Sequence, residues 1–285
     1  MRPADSMRLL ARMRRRGLPL LAALASTLAL AAPAAAASSQ PVAAKGTLRV
    51  CADPNNLPYS NRKGEGFENR LAELVAHALG ETVSYTWWPQ RRGFIRNTLS
   101  AGRCDVIMGV PTLDMLGLTR SYYGSTYVIV SRRSEHLDFS SIRSPELKTL
   151  RIGVHLIGDD GANTPPVEVL GREGIVDNVV GYMIYGDYRE SSPPERILDD
   201  VANGKLDVAI VWGPLAGYYA KHSKVPLKVT PVTGTEAFMP LVFQYRIGMG
   251  VRKDDEALRL KLNAVIARHQ DEIDALLDSY GVPRV

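Results

Sequence analysis

Two stretches of the chain repeat the same pattern. The first, from Ser100 to Gly109, reads SAGRCDVIMG, and the second, from Val201 to Gly213, reads VANGKLDVAIVWG. Each has a glycine typical of a helix C-terminus, then a basic residue, then an aspartate that opens a short apolar strand. The repetition predicts two similar α/β lobes. Because open parallel sheets bind ligands at the carboxyl ends of their strands, the lobes should face each other across a ligand cleft.

The N-terminal residues have the composition of a targeting segment. Six arginines in residues 1–16 precede an apolar run from Leu18 to Ala32 and then four small residues, Ala34 to Ala37. This pattern predicts a cleaved secretory signal peptide over residues 1–37 and a linker over residues 38–46. An uncleaved anchor is the less favoured alternative, because the apolar run is shorter than the about 20 residues that cross a bilayer. General secretory and twin-arginine export both remain open.

The positive charge of the chain belongs to this segment. The whole sequence has 35 basic and 30 acidic residues, and residues 1–37 hold six arginines and one aspartate, so 29 residues of each sign remain. Nucleic-acid binding depends on a basic footprint and is therefore not expected. The remaining chain of about 245 residues is long enough for one large or two medium domains.

The chain has two cysteines, Cys51 and Cys104. An even number of cysteines in an exported protein predicts a disulfide, with two buried free thiols as the alternative. Cys51 ends one predicted strand and Cys104 precedes another, so the bridge would fix a loop beside the cleft. Neither cysteine lies in a CxxC or CxxCH spacing, which excludes the usual redox and haem-attachment motifs.

Hydrophobic periodicity divides the exported chain into three parts. Residues 47–132 show a β-α-β-α-β succession followed by an extended segment, and residues 133–242 restart the α/β pattern at Arg151. Residues 243–285 add a strand and one long amphipathic helix from Leu258 to Tyr280. We therefore expect lobe I to comprise residues 47–132 and 243–285, and lobe II residues 133–242. Each lobe should be a mainly parallel sheet flanked by helices. Within lobe I, the second helix should extend to Gly102.

Several motifs resemble a known family. The Gly66-Phe67-Glu68 helix start, the Gly-basic-x-Asp turns and the tail from Gly250 to Asp255 resemble type II periplasmic solute-binding proteins over residues 47–285. Three further motifs resemble the MoxJ/XoxJ-type proteins, which accompany PQQ-dependent quinoprotein methanol dehydrogenases in the periplasm. These motifs are CADPNNLPYS at residues 51–60, WPQRRGFIR at residues 88–96 and RCDVIMGVP at residues 103–111.

The resemblance implies a non-catalytic periplasmic protein that binds a quinoprotein methanol or alcohol dehydrogenase and assists its maturation or activation. Two alternatives stay open. One is the substrate-binding component of an ABC transporter for a small solute other than an amino acid. The other is a periplasmic dehydratase, for which Asp53 or Asp160 would be the acid or base. The sequence does not distinguish a calcium-dependent from a lanthanide-dependent dehydrogenase, and it does not fix the oligomeric state.

The chain departs from amino-acid-binding members of the superfamily at two positions. Those proteins hold the ligand carboxylate with an arginine shortly after the third strand, and the ligand ammonium with an aspartate after a strand of the second lobe. Met115 and Trp212 occupy the matching positions here. Because both charges that grip a zwitterion are missing, an amino-acid ligand is not expected.

Candidate cleft residues lie on loops after the predicted strands: Asp53, Asn55, Asn56, Tyr59, Pro111, Thr112, Gly158, Asp159, Asp160 and Trp212. For each asparagine and aspartate the alternative is ordinary turn chemistry. The candidate partner surface comprises Trp88, Arg91, Arg92 and Arg96, since tryptophan and arginine dominate interface hot spots. The alternative is that Trp88 covers the core of its own lobe while the arginines are solvated.

Neither a metal nor a cofactor is predicted. The five histidines lack metal-ligand spacing, and the aspartate pairs at 159–160, 199–200 and 254–255 lack EF-hand spacing. The chain contains no GxSxG or HExxH motif, and no nucleophile is recognisable beside a base. These observations favour a binding protein over an enzyme.

Overall fold

A computed structural model of the protein describes residues 46–157, 163–185 and 187–285. The predicted signal peptide and residues 38–45 of the predicted linker lie outside these residues. The candidates Gly158, Asp159 and Asp160 also lie outside them. In the described part of the chain, no helix combines the length and apolar character needed to cross a membrane.

The described residues form twelve strands and seven helices. The strands are β1 Thr47–Ala52, β2 Asn55–Asn56, β3 Ser60–Asn61, β4 Thr82–Trp87, β5 Val106–Val110, β6 Gly117–Leu118, β7 Tyr123–Arg132, β8 Ile152–Leu156, β9 Val179–Met183, β10 Val208–Trp212, β11 Leu227–Pro231 and β12 Gln244–Val251. The helices are α1 Phe67–Leu79, α2 Phe94–Asn97, α3 Pro165–Arg172, α4 Arg196–Ala202, α5 Gly213–His222, α6 Glu256–Arg268 and α7 Gln270–Ser279.

The two lobes have the same strand arrangement. In lobe I, β4, β1 and β5 are parallel neighbours, and β12 runs antiparallel beside β5. In lobe II, β9, β8 and β10 are parallel neighbours, and β7 runs antiparallel beside β10. This mixed α/β architecture confirms the predicted two-lobed fold with mainly parallel sheets.

Two long strands connect the lobes. Residues Tyr123–Thr126 of β7 pair with β12, whereas the rest of β7 pairs with β10 on one side and β11 on the other. The strand therefore changes its partners from lobe I to lobe II along its length. Such a paired crossing supplies a natural hinge for movement of one lobe against the other.

The sequence repetition corresponds to a repeated ion pair. The guanidinium of Arg49 in β1 pairs with both carboxylate oxygens of Asp105, which precedes β5. In lobe II, Arg151 pairs with both oxygens of Asp207, which precedes β10. Each arginine also donates to the carbonyl oxygen of the left-handed glycine in the turn. Each aspartate therefore joins its strand to the start of the neighbouring parallel strand.

The C-terminal segment is two helices, so the prediction of one long helix is wrong. His269 separates α6 from α7 with φ −115° and ψ 21°, outside the helical range. The change of direction lets apolar residues of both helices, including Ile266 and Ile273, pack on the core of lobe I. The side chain of Gln270 fixes the second helix by donating to the carbonyl oxygen of Tyr122 at 2.9 Å.

Two further details of the helices differ from expectation. The second helix of lobe I ends at Asn97 rather than near Gly102, because Thr98 leaves the helical region and its hydroxyl donates to the carbonyl oxygen of Phe94. Helix α5 was not predicted from the sequence. Its start carries a recognisable signal, since Pro214 lies in the first turn, where a missing backbone N–H costs no hydrogen bond.

The predicted disulfide is confirmed. Cys51 and Cys104 are bonded, with Cα atoms 5.4 Å apart, and both residues are buried. The bridge joins β1 to the turn before β5. Cys51 lies two residues before Asp53, so the bridge anchors the strand from which the next loop starts.

Candidate functional site

A cavity of about 420 Å³ lies between the lobes. Lobe I contributes the loop after β1, the segment after β4 and the end of β5. The crossing strand β7 contributes Tyr127, and lobe II contributes the segment after β9 and the start of α5. The lining residues are Asp53, Asn56, Tyr59, Gln90, Pro111, Tyr127, His155, Ile184, Tyr185, Tyr188, Pro194, Trp212 and Leu215. Most follow the carboxyl ends of parallel strands, which is where open α/β sheets bind their ligands.

Asp53 is the acidic residue of the cavity wall, and it is 2% exposed. One carboxylate oxygen accepts from the backbone N–H of Asn55 at 2.8 Å. The other accepts from the backbone N–H of Gln90 at 2.6 Å and from the hydroxyl of Tyr188 at 2.5 Å. All three donors are uncharged, so no cationic side chain balances the buried carboxylate through these contacts.

The contact with Tyr188 belongs to a set that joins the lobes, which we term the interlobe latch: Asp53, Asn55, Tyr188, Glu190 and Ser192. The side-chain amide of Asn55 donates to the carbonyl oxygen of Glu190 at 2.7 Å, and its oxygen accepts from the backbone N–H of Ser192 at 3.3 Å. The latch therefore ties the loop after β1 to the segment after β9.

Aromatic rings form much of the cavity wall. The rings of Tyr127 and Trp212 pack edge to face with centroids 5.4 Å apart. The ring centroid of Tyr245 lies 5.6 Å from that of Trp212, and the ring centroid of Phe243 lies 5.8 Å from that of Tyr127. A second layer of rings therefore supports the first. Burial holds the pKa of the Tyr127 hydroxyl well above its usual range. Both rings are therefore uncharged and fixed in place.

Two other titratable groups in and near the cavity are neutral at pH 7. Burial lowers the pKa of His155 to about 4. Burial, and then the charge of Asp53, raise the pKa of Glu68 to about 8. The Glu68 carboxyl group lies against Gly109, where a side chain would collide with it, so this glycine leaves room for the acid. At pH 7, therefore, His155 brings no positive charge and Glu68 no negative charge to this region.

The structure brings together half of the predicted cleft residues as lining of the cavity. These are Asp53, Asn56, Tyr59, Pro111 and Trp212. Asn55 belongs to the latch instead, and Thr112 is exposed and absent from the lining. The remaining three, Gly158, Asp159 and Asp160, lie outside the described residues.

Several lining residues were missed by sequence reasoning, notably Gln90, Tyr127, His155, Tyr185 and Tyr188. A usable signal existed for Tyr185 and Tyr188, because the strand of lobe II that the sequence predicts ends at Tyr185 and Tyr188 follows it closely. Tyr127 gave no such signal. It lies within a strand that is apolar and β-branched, where a tyrosine is typical of core packing.

The residues of the candidate partner surface separate into two environments. Trp88 is half-buried against the cluster that contains Phe94 and the disulfide, and the guanidinium of Arg103 lies 5.8 Å from its ring centroid. The three arginines of this candidate surface are exposed and line a depression of about 480 Å³ beside the cavity. We term it the arginine groove, with Arg91, Arg92 and Arg96 around Phe94, Ile95, Leu113, Met115 and Tyr185.

Comparison with known proteins identifies the family. The model of the bacterial extracellular solute-binding proteins, family 3, matches residues 48–283. The chain belongs to this family. It is 34% identical to the protein MoxJ of Methylorubrum extorquens, in an alignment that covers 93% of each chain. The match to MoxJ confirms the resemblance read from the three motifs.

Solved structures place the fold in the same group. The periplasmic binding protein XoxJ from Methylobacterium extorquens AM1 is 36% identical, with a TM-score of 0.69 over 84% of this chain and 99% of that one. MxaJ from Methylophaga aminisulfidivorans MPT is 26% identical, with a TM-score of 0.73 over 84% of this chain and 100% of that one. The family 3 fold is thus shared along nearly the whole length of these neighbours.

Met115 and Trp212, which occupy the positions of the ligand-binding arginine and aspartate of amino-acid-binding proteins, lie in different places. Met115 is 65% exposed and lines the arginine groove rather than the cavity. Trp212 ends β10 and presents a ring to the cavity. No lysine or arginine is among the lining residues of the cavity in the described part of the chain. A ligand carboxylate would therefore find no charged partner in this wall.

Proposed function

We propose that the mature chain is a non-catalytic periplasmic partner of a quinoprotein methanol dehydrogenase and assists its maturation or activation. The observation that carries the proposal is the relationship to MoxJ and XoxJ along almost the whole chain. The resemblance read from the sequence associates this group with PQQ-dependent dehydrogenases of methanol oxidation. The proposal places the protein in the periplasm after removal of residues 1–37, and the Cys51–Cys104 disulfide suits that oxidising compartment.

The chemistry of the cleft supports a role other than amino-acid delivery. An amino-acid receptor needs a cation for the ligand carboxylate, usually a bidentate arginine. Met115 stands at the expected position, and the wall of the cavity described above offers no replacement. The Asp53 carboxylate already accepts three hydrogen bonds from the protein, so it also lacks the open geometry of an ammonium site.

We place the partner contact at the arginine groove. Arginine is enriched at interface hot spots and methionine in the buried centre of interfaces, and the groove combines three arginines with the exposed Met115. Its charge favours an acidic segment of the dehydrogenase that carries an apolar side chain. Tyr185 of lobe II also lines the groove, so the shape of this surface depends on how the lobes are held together. In this proposal the domain limits are those expected from the sequence, with lobe II at residues 133–242.

A capture experiment tests the partnership. Tagged mature protein is incubated with periplasmic extract from methanol-grown cells of its source, and retained proteins are identified by mass spectrometry. We expect a quinoprotein dehydrogenase to be retained, and Arg96→Glu or Met115→Glu to reduce its recovery by at least about tenfold. Leu260→Glu and Arg268→Glu are matched controls on exposed positions of α6. Absence of the dehydrogenase from the retained fraction would contradict the proposal.

The cavity itself favours a second candidate function. A space of about 420 Å³ between two hinged lobes is suitable for a small solute, as in the binding component of an ABC transporter. In that case a metabolite should co-purify with the protein, and no dehydrogenase should be retained. The capture experiment and mass spectrometry of the denatured sample therefore separate the two candidates.

A further inference from the structure

The cavity between the lobes has walls of aromatic rings on both sides. Tyr59 comes from lobe I, Tyr127 from the crossing strand β7, and Tyr185, Tyr188 and Trp212 from lobe II. The rings at 127 and 212 are held edge to face and are backed by further rings. Such surfaces attract cations, because the face of each ring carries partial negative charge. A desolvated cation gains more from this contact than one that stays in water.

The electrostatics of the cavity point in the same direction. Asp53 is buried, and its three hydrogen-bond donors are neutral. His155 lines the same wall without positive charge at pH 7. The guanidinium of Arg91 lies 5.1 Å from the Tyr188 ring centroid, but this arginine lines two adjacent depressions rather than the cavity. The cavity therefore holds a buried negative charge that a cationic ligand would balance.

We propose that this cavity binds a small organic cation that has no carboxylate, such as an alkylated ammonium, with its charge against the rings of Tyr127 and Trp212 and with Asp53 as the counter-charge. A quaternary ammonium needs no hydrogen-bond acceptor. It can therefore use the charge of Asp53 although the oxygens of this carboxylate are already occupied. A zwitterion would bring a second, negative group into a wall whose described residues include no lysine or arginine to receive it. The volume of about 420 Å³ is suitable for such a molecule.

This inference concerns a ligand site and does not depend on the partnership with the dehydrogenase. The test is calorimetric titration of the mature protein with choline chloride. Two controls isolate the charge: the uncharged carbon isostere, in which a tert-butyl group replaces the trimethylammonium, and glycine betaine, which adds a carboxylate to the same cation. We expect choline to bind at least about tenfold more tightly than either control. Equal binding of the uncharged isostere, or no binding of choline, would overturn the inference.

Variants of the wall locate the site. Trp212→Phe keeps a ring at the cavity and should bind choline within a few-fold of wild type, whereas Trp212→Leu should lose at least about tenfold in affinity. Trp87→Leu is the control, because this tryptophan stacks on Tyr85 outside the cavity. Thermal unfolding of each variant establishes that the protein is folded. If Trp212→Leu is folded and binds choline as wild type does, the rings do not form the site and the inference fails.

The same variants separate this inference from the proposed function. Trp212→Leu should abolish the preference for choline and still capture the dehydrogenase through the arginine groove. Met115→Glu should bind choline as wild type does and capture less of the dehydrogenase. A failure of choline binding would therefore leave the partnership to be judged by the capture experiment alone.

Discussion

The hydroxyl of Tyr188 donates a hydrogen bond of 2.5 Å to the buried carboxylate of Asp53, although the two residues are 135 positions apart. Asp53 follows the first strand of lobe I, and Tyr188 lies in lobe II. With the contacts of Asn55, this bond forms a latch across one side of the cleft. The latch joins the lobes through hydrogen bonds between groups of the protein itself. It therefore favours the closed arrangement of the lobes without a bound solute.

Removal of the latch hydroxyl should open the cleft. Tyr188→Phe deletes a hydrogen bond to a buried charged group, which typically contributes about 1.5–3 kcal/mol. We expect a larger radius of gyration in small-angle X-ray scattering and a lower free energy of unfolding. Because Tyr185 of lobe II lines the arginine groove, dehydrogenase capture should fall as well. Tyr245→Phe, in β12 and outside the latch, is the control. An unchanged scattering profile would show that the latch does not hold the lobes together.

The stability of the protein should decrease between pH 5 and pH 8 because of Glu68. Its pKa is raised from 4.5 to about 8 in the fold, first by burial and then by the charge of Asp53. The folded chain thus holds a proton that the unfolded chain releases. This contribution is complete below pH 4.5 and is lost as the pH rises to about 8, with a total on the order of a few kcal/mol.

Glu68→Gln tests this assignment. The other ionisable groups that interact with Glu68 are Asp53 and four tyrosines: Tyr59, Tyr85, Tyr122 and Tyr123. Burial is the main cause that raises the pKa of each tyrosine. The tyrosines therefore stay protonated throughout this window. Urea unfolding at a series of pH values should show a flatter profile for Glu68→Gln than for wild type. Glu73→Gln, on the exposed side of the same helix, should keep the wild-type slope. An identical slope in Glu68→Gln would contradict the assignment.

Reduction of the disulfide should destabilise lobe I. The bond closes a loop between positions 53 apart in sequence, and the chain-entropy model gives about 4 kcal/mol for a loop of this length. Measured effects are typically about 2–4 kcal/mol. Denaturant unfolding of the reduced protein should match that of a variant with Cys51→Ala and Cys104→Ala together. Equal stability of the oxidised and reduced forms would mean that the bridge does not constrain the unfolded chain as assumed.

The parts of the fold that could be predicted from the sequence depend on local signals. The two glycine-aspartate turns were recognisable because a left-handed glycine and a strand-opening aspartate lie within a few residues of each other. The structure adds Arg49, in β1, and Arg151, directly before β8, which pair with these aspartates. Those arginines were not identified, since pairing across a parallel sheet joins residues more than fifty positions apart.

The candidate site was only partly predictable for the same reason. Loops after strands identified Asp53, Tyr59 and Trp212, because the carboxyl ends of parallel strands meet at one edge of the sheet. The contribution of Tyr127 depends on how β7 crosses from one lobe to the other, which its apolar pattern does not reveal. The break at His269 was missed because the spacing of apolar residues continues through it, and only the packing of two helices on one core makes the bend visible.

Reconstitution of the dehydrogenase tests the central claim most directly. The quinoprotein dehydrogenase is produced in a periplasm that contains PQQ, with and without this chain, and active enzyme is measured per mole of purified dehydrogenase. We predict a higher active fraction when the chain is present, and a return to the lower value when Arg96→Glu and Met115→Glu are combined. Leu260→Glu should keep the wild-type effect. An active fraction that is the same with and without the chain would contradict a role in maturation or activation.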